Sequence, residues 1–178
     1  MLTGSPLRVV GAVVFLGLLG AACVYDVRAR RIPNSIVATL LACGLAFSLL
    51  AAPGGIRGLV FGVSGLLVGL ALWLPSWLFR LLGAGDVKLY AAASAWLGAR
   101  GSLNGAVCAA FAGGIMAVIW MLRYRGLGGA ALTLWAARAN PRSLVQPVVA
   151  ESPARVLPYS VALAAGAAVA ACIPHLIF

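Results

Sequence analysis

The sequence predicts an all-α, polytopic membrane protein with six transmembrane helices, and three observations carry that prediction. Of 178 residues, 63% are hydrophobic and only 9% charged, far from the balance of a water-soluble domain. The apolar residues gather into six stretches close to the roughly 20 residues a helix needs to cross hydrocarbon. The 13 basic residues collect in the links between those stretches, so the formal charge of +10 reads as a topology signal and an attraction to anionic headgroups. A nucleic-acid partner does not fit that distribution. The length suits one unit, so residues 1–178 are read as a single integral membrane domain.

The expected spans are approximately 7–27, 35–52, 58–79, 81–99, 101–122 and 157–177. The first lacks a convincing small-residue cleavage site and is read as a retained helix rather than a signal peptide. It ends in "VYDVRARRIPN", where three arginines mark a membrane boundary. The second and third are joined by "APGGIRG", a Pro/Gly turn. The fourth is bounded by Arg80 and Arg100 with nineteen residues between them, barely enough to cross, so Gly83, Gly85 and Asp86 belong to the span. "GARGS" separates the fourth from the fifth.

Residues 123–156 form the one long link, with five arginines, Glu151 and prolines at 141, 147 and 153. Within it, "ALTLWAARA" suits either a short amphipathic helix on the membrane surface, with Trp135 at the interface, or part of a flexible connector. Placing the first link in the cytoplasm puts Arg28, Arg30, Arg31, Arg80, Lys88, Arg123, Arg125, Arg138, Arg142 and Arg155 on or near that side. Only Arg8, Arg57 and Arg100 fall opposite, which sets both termini outside the cytoplasm.

Cys23, Cys43, Cys108 and Cys172 stand singly inside apolar stretches, as small buried side chains do, and no pair has C-x-x-C spacing. His175 is the only histidine, so no metal or other cofactor is expected.

Acids are the rarest charged residues: Asp26, Asp86 and Glu151. An aspartate at the centre of a membrane helix costs about 2.5–3.5 kcal/mol on insertion scales, and such residues commonly face a cavity and mark function. Asp86 lies six residues past Arg80, about 9 Å along a helix, and Asp26 two residues before Arg28. Both therefore reach similar depth on one side. Gly83 and Gly85 weaken the helix and permit close backbone approach, tolerable at that depth where the backbone lines a wet cavity or is buried in protein. Plainer roles exist for each acid alone: a helix N-cap for Asp86, an i+4 pairing with Arg30 for Asp26. Two submerged acids on one side favour function.

Asp26 to Asn34, "DVRARRIPN", and Gly83 to Lys88, "GAGDVK", resemble the two aspartate motifs of type IV prepilin peptidases, the second being their GxGD motif. "LPYSVALAAG", Leu157 to Gly166, is similar to the start of the last span in their short members, which accompany tight-adherence (Flp-type) pilus systems. The resemblance implies a GxGD aspartic peptidase-like fold in the inner membrane. It implies an endopeptidase that removes the basic leader of prepilins at the cytoplasmic face, with the prepilin leader and apolar helix as partner within the bilayer. Asp26 and Asp86 would be catalytic; Pro33, Asn34, Gly83, Gly85 and Lys88 match motif positions. Larger relatives carry an insertion with paired C-x-x-C motifs and also N-methylate the product. Nothing here corresponds, so cleavage without methylation, and no zinc, is expected. Ser160 stands where short members often have glycine.

Two other classes compete. A rhomboid-like serine peptidase would use Ser64 of "GVSG" with His175 as base, although small-residue clusters of that kind are common at helix contacts. A small transporter or proton-relay protein would use the same two aspartates as relay acids.

Overall fold

The computed structural model describes residues 6–51, 55–139 and 159–172, and the side chains of these except 51 and 120–139. The described residues are helical or in short connections. The helices are α1 (Pro6–Ala29), α2 (Asn34–Ala51), α3 (Gly55–Leu78), α4 (Ala84–Ala139) and α5 (Tyr159–Cys172). Three segments are long and apolar enough to cross a membrane: Pro6–Ala29, Gly55–Leu78 and Ala84–Ile119, with shorter apolar helices at Asn34–Leu50 and Tyr159–Cys172. The fold is that of a helical membrane protein. Side chains such as Val13, Leu50 and Ile56, at 66%, 73% and 77% exposure, point away from the bundle toward what hydropathy identifies as lipid.

α4 is not one straight rod. Gly98 takes φ +70°, and the Tyr90 hydroxyl donates to the Ser102 carbonyl at 2.7 Å. Twelve residues of straight helix would separate those groups by about 18 Å. A Cβ on Gly105 would also meet the Tyr90 oxygen, at 2.7 Å. The chain therefore folds back at Gly98, inside the "GARGS" stretch expected to separate two spans, and its two arms lie side by side. The first arm is the centre of the molecule: Val87 and every residue from Leu89 to Gly98 is buried. Alanine and serine dominate that arm, so neighbouring backbones approach closely.

The neighbours are built to match. α3 turns Gly58, Gly62, Gly65 and Gly69 inward along one face. A side chain on Gly65 would overlap the Ser94 carbonyl and crowd Gly98 at 2.9 Å. Trp96 packs between Phe15 of α1 and Phe47 of α2, with ring centroids at 5.4 and 5.2 Å, and donates its indole N–H to the Leu40 carbonyl at 2.9 Å. Leu163 and Ala167 of α5 complete the core.

Boundaries differ from the expectation in three places. α3 begins at Gly55 rather than at 58, with Gly55 at φ +60°. α4 begins at Ala84 rather than at 81, because the C-cap of α3 takes Leu81 and Leu82 and Gly83 caps α4: Arg80 N–H bonds to the Trp77 carbonyl at 2.9 Å, and Leu81 N–H to Ser76 at 2.8 Å. That is the Schellman pattern, with Arg80 at φ +57° in the position glycine usually occupies. Residues 123–139, expected as link with "ALTLWAARA" either helical or flexible, continue α4 as helix. The remainder of that link, with Glu151, and His175 lie outside the described residues.

Candidate active site

The cap of α1 sets the first aspartate. Asp26 lies in the last turn, and its carbonyl accepts the Arg30 N–H at 2.8 Å. Arg30, at φ +52°, is a left-handed terminator that turns the chain toward Pro33. The Pro33 carbonyl accepts the N–H of Ile36 at 3.1 Å and so opens α2, with Asn34 as its first residue. The second aspartate is set by the start of α4. Gly83 occupies the cap position, its carbonyl accepting the Asp86 N–H at 3.1 Å and the Val87 N–H at 3.3 Å. Asp86 is thus a first-turn residue, not the N-cap itself.

The glycines do less than the sequence suggested. Neither takes a left-handed φ, and Gly85 is already helical. A Cβ on Gly85 would find Ile32 at an ordinary 3.6 Å, whereas one on Gly83 would stand 3.3 Å from Asp86 Oδ2. Gly83 is where the carboxylate needs the space.

Both aspartates are half-buried and line one cavity of about 310 Å³. Of the seven residues singled out from the two motifs, six line it: Asp26, Asn34, Gly83, Gly85, Asp86 and Lys88. Pro33 does not; it opens the helix that brings Asn34 there. Arg30 and Arg31 line the same cavity. Their basic charge is a topology signal in the sequence, and their place one turn after Asp26 also brings them to the site.

One participant escaped the sequence reading. The hydrogen bond on the Asp26 carboxylate comes from the Ser160 hydroxyl of α5, not from Arg30 one turn on. Its signal in the sequence is slight, a serine at the start of a small-residue helix. Ser64, by contrast, donates its hydroxyl to the Phe61 carbonyl of its own helix at 2.8 Å, and Gly62 and Gly65 beside it are buried helix contacts. The "GVSG" stretch reads as packing.

Two carboxylates sharing a cavity in a helical membrane protein can hold one proton between them and polarise a water, the arrangement of an aspartic peptidase. Residues 13–122, more than half the chain and including both aspartates, match the type IV leader peptidase family. The chain belongs to that family. It is 36% identical over 117 residues to the prepilin leader peptidase/N-methyltransferase of Pectobacterium carotovorum subsp. carotovorum, covering 62% of this chain and 41% of that one. The protein of the same name from Dickeya chrysanthemi is 34% identical over 126 residues, 67% and 44% of the two chains. That from Klebsiella pneumoniae is 37% identical over 105 residues, 55% and 44%. The chain thus spans less than half the length of these relatives. No solved structure matches it.

Proposed function

We propose that this chain is a prepilin leader peptidase of the cytoplasmic membrane, cutting the basic leader from type IV or Flp-like prepilins at the cytoplasmic face. The observation that carries the proposal is the single cavity lined by Asp26 from the end of α1 and Asp86 from the start of α4. In the proposed reaction one carboxylate, ionised, takes a proton from water as it attacks the scissile carbonyl. The other, protonated, hydrogen-bonds the carbonyl oxygen and later helps protonate the leaving amine. Gly83, Gly85, Asn34 and Lys88 shape the cavity around the pair, and Pro33 places Asn34. A site near the membrane surface admits water while the apolar stem of the substrate stays in the bilayer.

The proposal includes six crossings, the two arms of α4 counting separately. It assigns these residues cleavage and not N-methylation, since the four cysteines stand singly and form no C-x-x-C pair. Co-expression with prepilins bearing a basic leader tests it. Asp26→Asn and Asp86→Asn should each abolish leader removal, a loss of at least about a thousandfold for an acid–base group of a dyad, while membrane abundance stays near wild type. Ser64→Ala should process normally. Mass spectrometry of the product should show an unmethylated N-terminus; a methyl group that depends on this enzyme would overturn that part. If Ser64→Ala is inactive and either asparagine variant still cuts, the aspartic assignment fails.

A further inference from the structure

The Asp26 carboxylate has a partner outside both aspartate motifs. Ser160, in the first turn of α5, is fully buried and its hydroxyl donates to Asp26 Oδ2. The same residue's carbonyl accepts the Cys23 thiol at 3.9 Å. Cys23 and Asp26 are three residues apart, on one face of α1. α5 is therefore tied to the α1 face that carries the aspartate. It also lies beyond the region, residues 13–122, that matches the family.

The packing around Ser160 leaves its hydroxyl little freedom. Tyr159, its neighbour, sets its ring edge-on against Trp73 of α3 at 6.1 Å, and Trp73 in turn meets Tyr90 of α4 at 5.8 Å. Leu163, one turn later, is fully buried, and a side chain on Gly166 would overlap the α4 backbone at Gly105 and Ala109. α5 is clamped at both ends of its buried face. A hydroxyl held this way defines the orientation of the carboxyl it binds.

We infer that Ser160 is a positioning residue for Asp26: by holding Oδ2 it orients the carboxyl so that Oδ1 is the oxygen presented to the cavity shared with Asp86. The inference deepens the peptidase reading and rests on it. A serine performs here what a glycine at this position has no atoms to perform. An unheld carboxyl rotates about its χ2 bond, a broad torsion, and spends only part of its time aligned with its partner.

The test uses the full chain in detergent or lipid with a prepilin substrate. Ser160→Ala and Ser160→Gly remove the hydroxyl without adding bulk, and Ser160→Thr restores a hydroxyl. Both removals should lower kcat about tenfold with KM little changed, since the buried serine touches no substrate. Both should also displace the acid and alkaline limbs of the pH profile. The charged and titratable groups around Asp26 and the cavity are Cys23 of α1, Arg30 and Arg31 after it, and Asp86 and Lys88 of α4, with Tyr159 of α5 acting on Asp86. All of these are unchanged in the variants, so a displaced profile reports the missing hydroxyl. Threonine should recover most of the rate.

A second readout does not depend on cleavage. The Asp26 carboxyl infrared band, isolated as the difference between wild type and Asp26→Asn, should shift when Ser160 becomes alanine or glycine. An unmoved band, or wild-type kcat and pH profile in both variants, overturns the inference while leaving the peptidase reading intact. A shifted band with no prepilin cut even by wild type upholds the positioning contact and defeats the peptidase reading instead.

Discussion

Asp26 and Asp86 reach their shared cavity from opposite helix ends, one through the last turn of α1 and one through the first turn of α4. Neither side chain depends on a distorted backbone of its own; the left-handed residues are the arginines beyond each preceding helix. If the pair shares a proton, the cleavage rate should be bell-shaped in pH. It should fall on the acid side as the base is protonated and on the alkaline side as the acid is ionised, with both limbs belonging to the pair. A kcat/KM that is flat across the carboxylate range, with chemistry rate-limiting, would remove the dyad mechanism. The glycines separate by their contacts. Gly83→Ala crowds Asp86 Oδ2, which stands 3.3 Å from where the new methyl group would be, whereas Gly85→Ala meets only Ile32 at 3.6 Å. Gly83→Ala should therefore lower kcat several-fold more than Gly85→Ala, at equal abundance, in the same processing assay. Both aspartates were legible in the sequence because a carboxylate in an apolar span is chemically conspicuous. Ser160 was not, because a serine in a small-residue helix looks like any other packing residue.

At the scale of elements, helix ends shape the site more than helix interiors do. α1 and α3 each finish on an arginine at positive φ, Arg30 at 52° and Arg80 at 57°. A non-glycine residue there costs about 1–2 kcal/mol. Arg80 does not line the cavity, so Arg80→Gly should relieve that strain and raise stability by about 1 kcal/mol, read as the midpoint of thermal unfolding in detergent. Gly98→Ala should do the reverse. It places a side chain at φ +70° and drives it into the Phe61 ring of α3, so the α3–α4 packing must shift, at a cost of roughly 1–3 kcal/mol. An unchanged midpoint for Gly98→Ala would show that the fold-back of α4 does not need a glycine. The lengths and order of these helices were readable from apolar runs. Their true ends were not, because an arginine marks a boundary without showing, as a glycine would, which residue turns left-handed, and Leu81 and Leu82 of the expected fourth span serve the end of α3.

Across the whole molecule, one end of the bundle collects Arg30, Arg31 and Lys88 around the two acids. The uneven distribution of basic residues predicts that this end faces the cytoplasm, with both termini on the other side. Reporter fusions at the C-terminus and at Gly129 test that arrangement: the first should report an extracytoplasmic location and the second a cytoplasmic one. A cytoplasmic C-terminus would reverse the topology and move the cavity away from the face where a leader is proposed to be cut.

The amino-acid sequence by itself determined that the chain is a helical membrane protein and where its apolar segments run, and it set the expectation that two acids share one depth. Each of these follows from hydropathy, span length and charge spacing, which are properties of the chain taken one segment at a time. The tertiary structure decided what depth alone leaves open. It brought Asp26 and Asp86 to one cavity, folded α4 back at Gly98, and placed the Ser160 hydroxyl on Asp26. Those outcomes depend on which faces pack, and here the faces are made of glycine, alanine and serine. Such residues mark a helix as packable without naming its neighbour, so lateral position emerges only when all the helices are assembled.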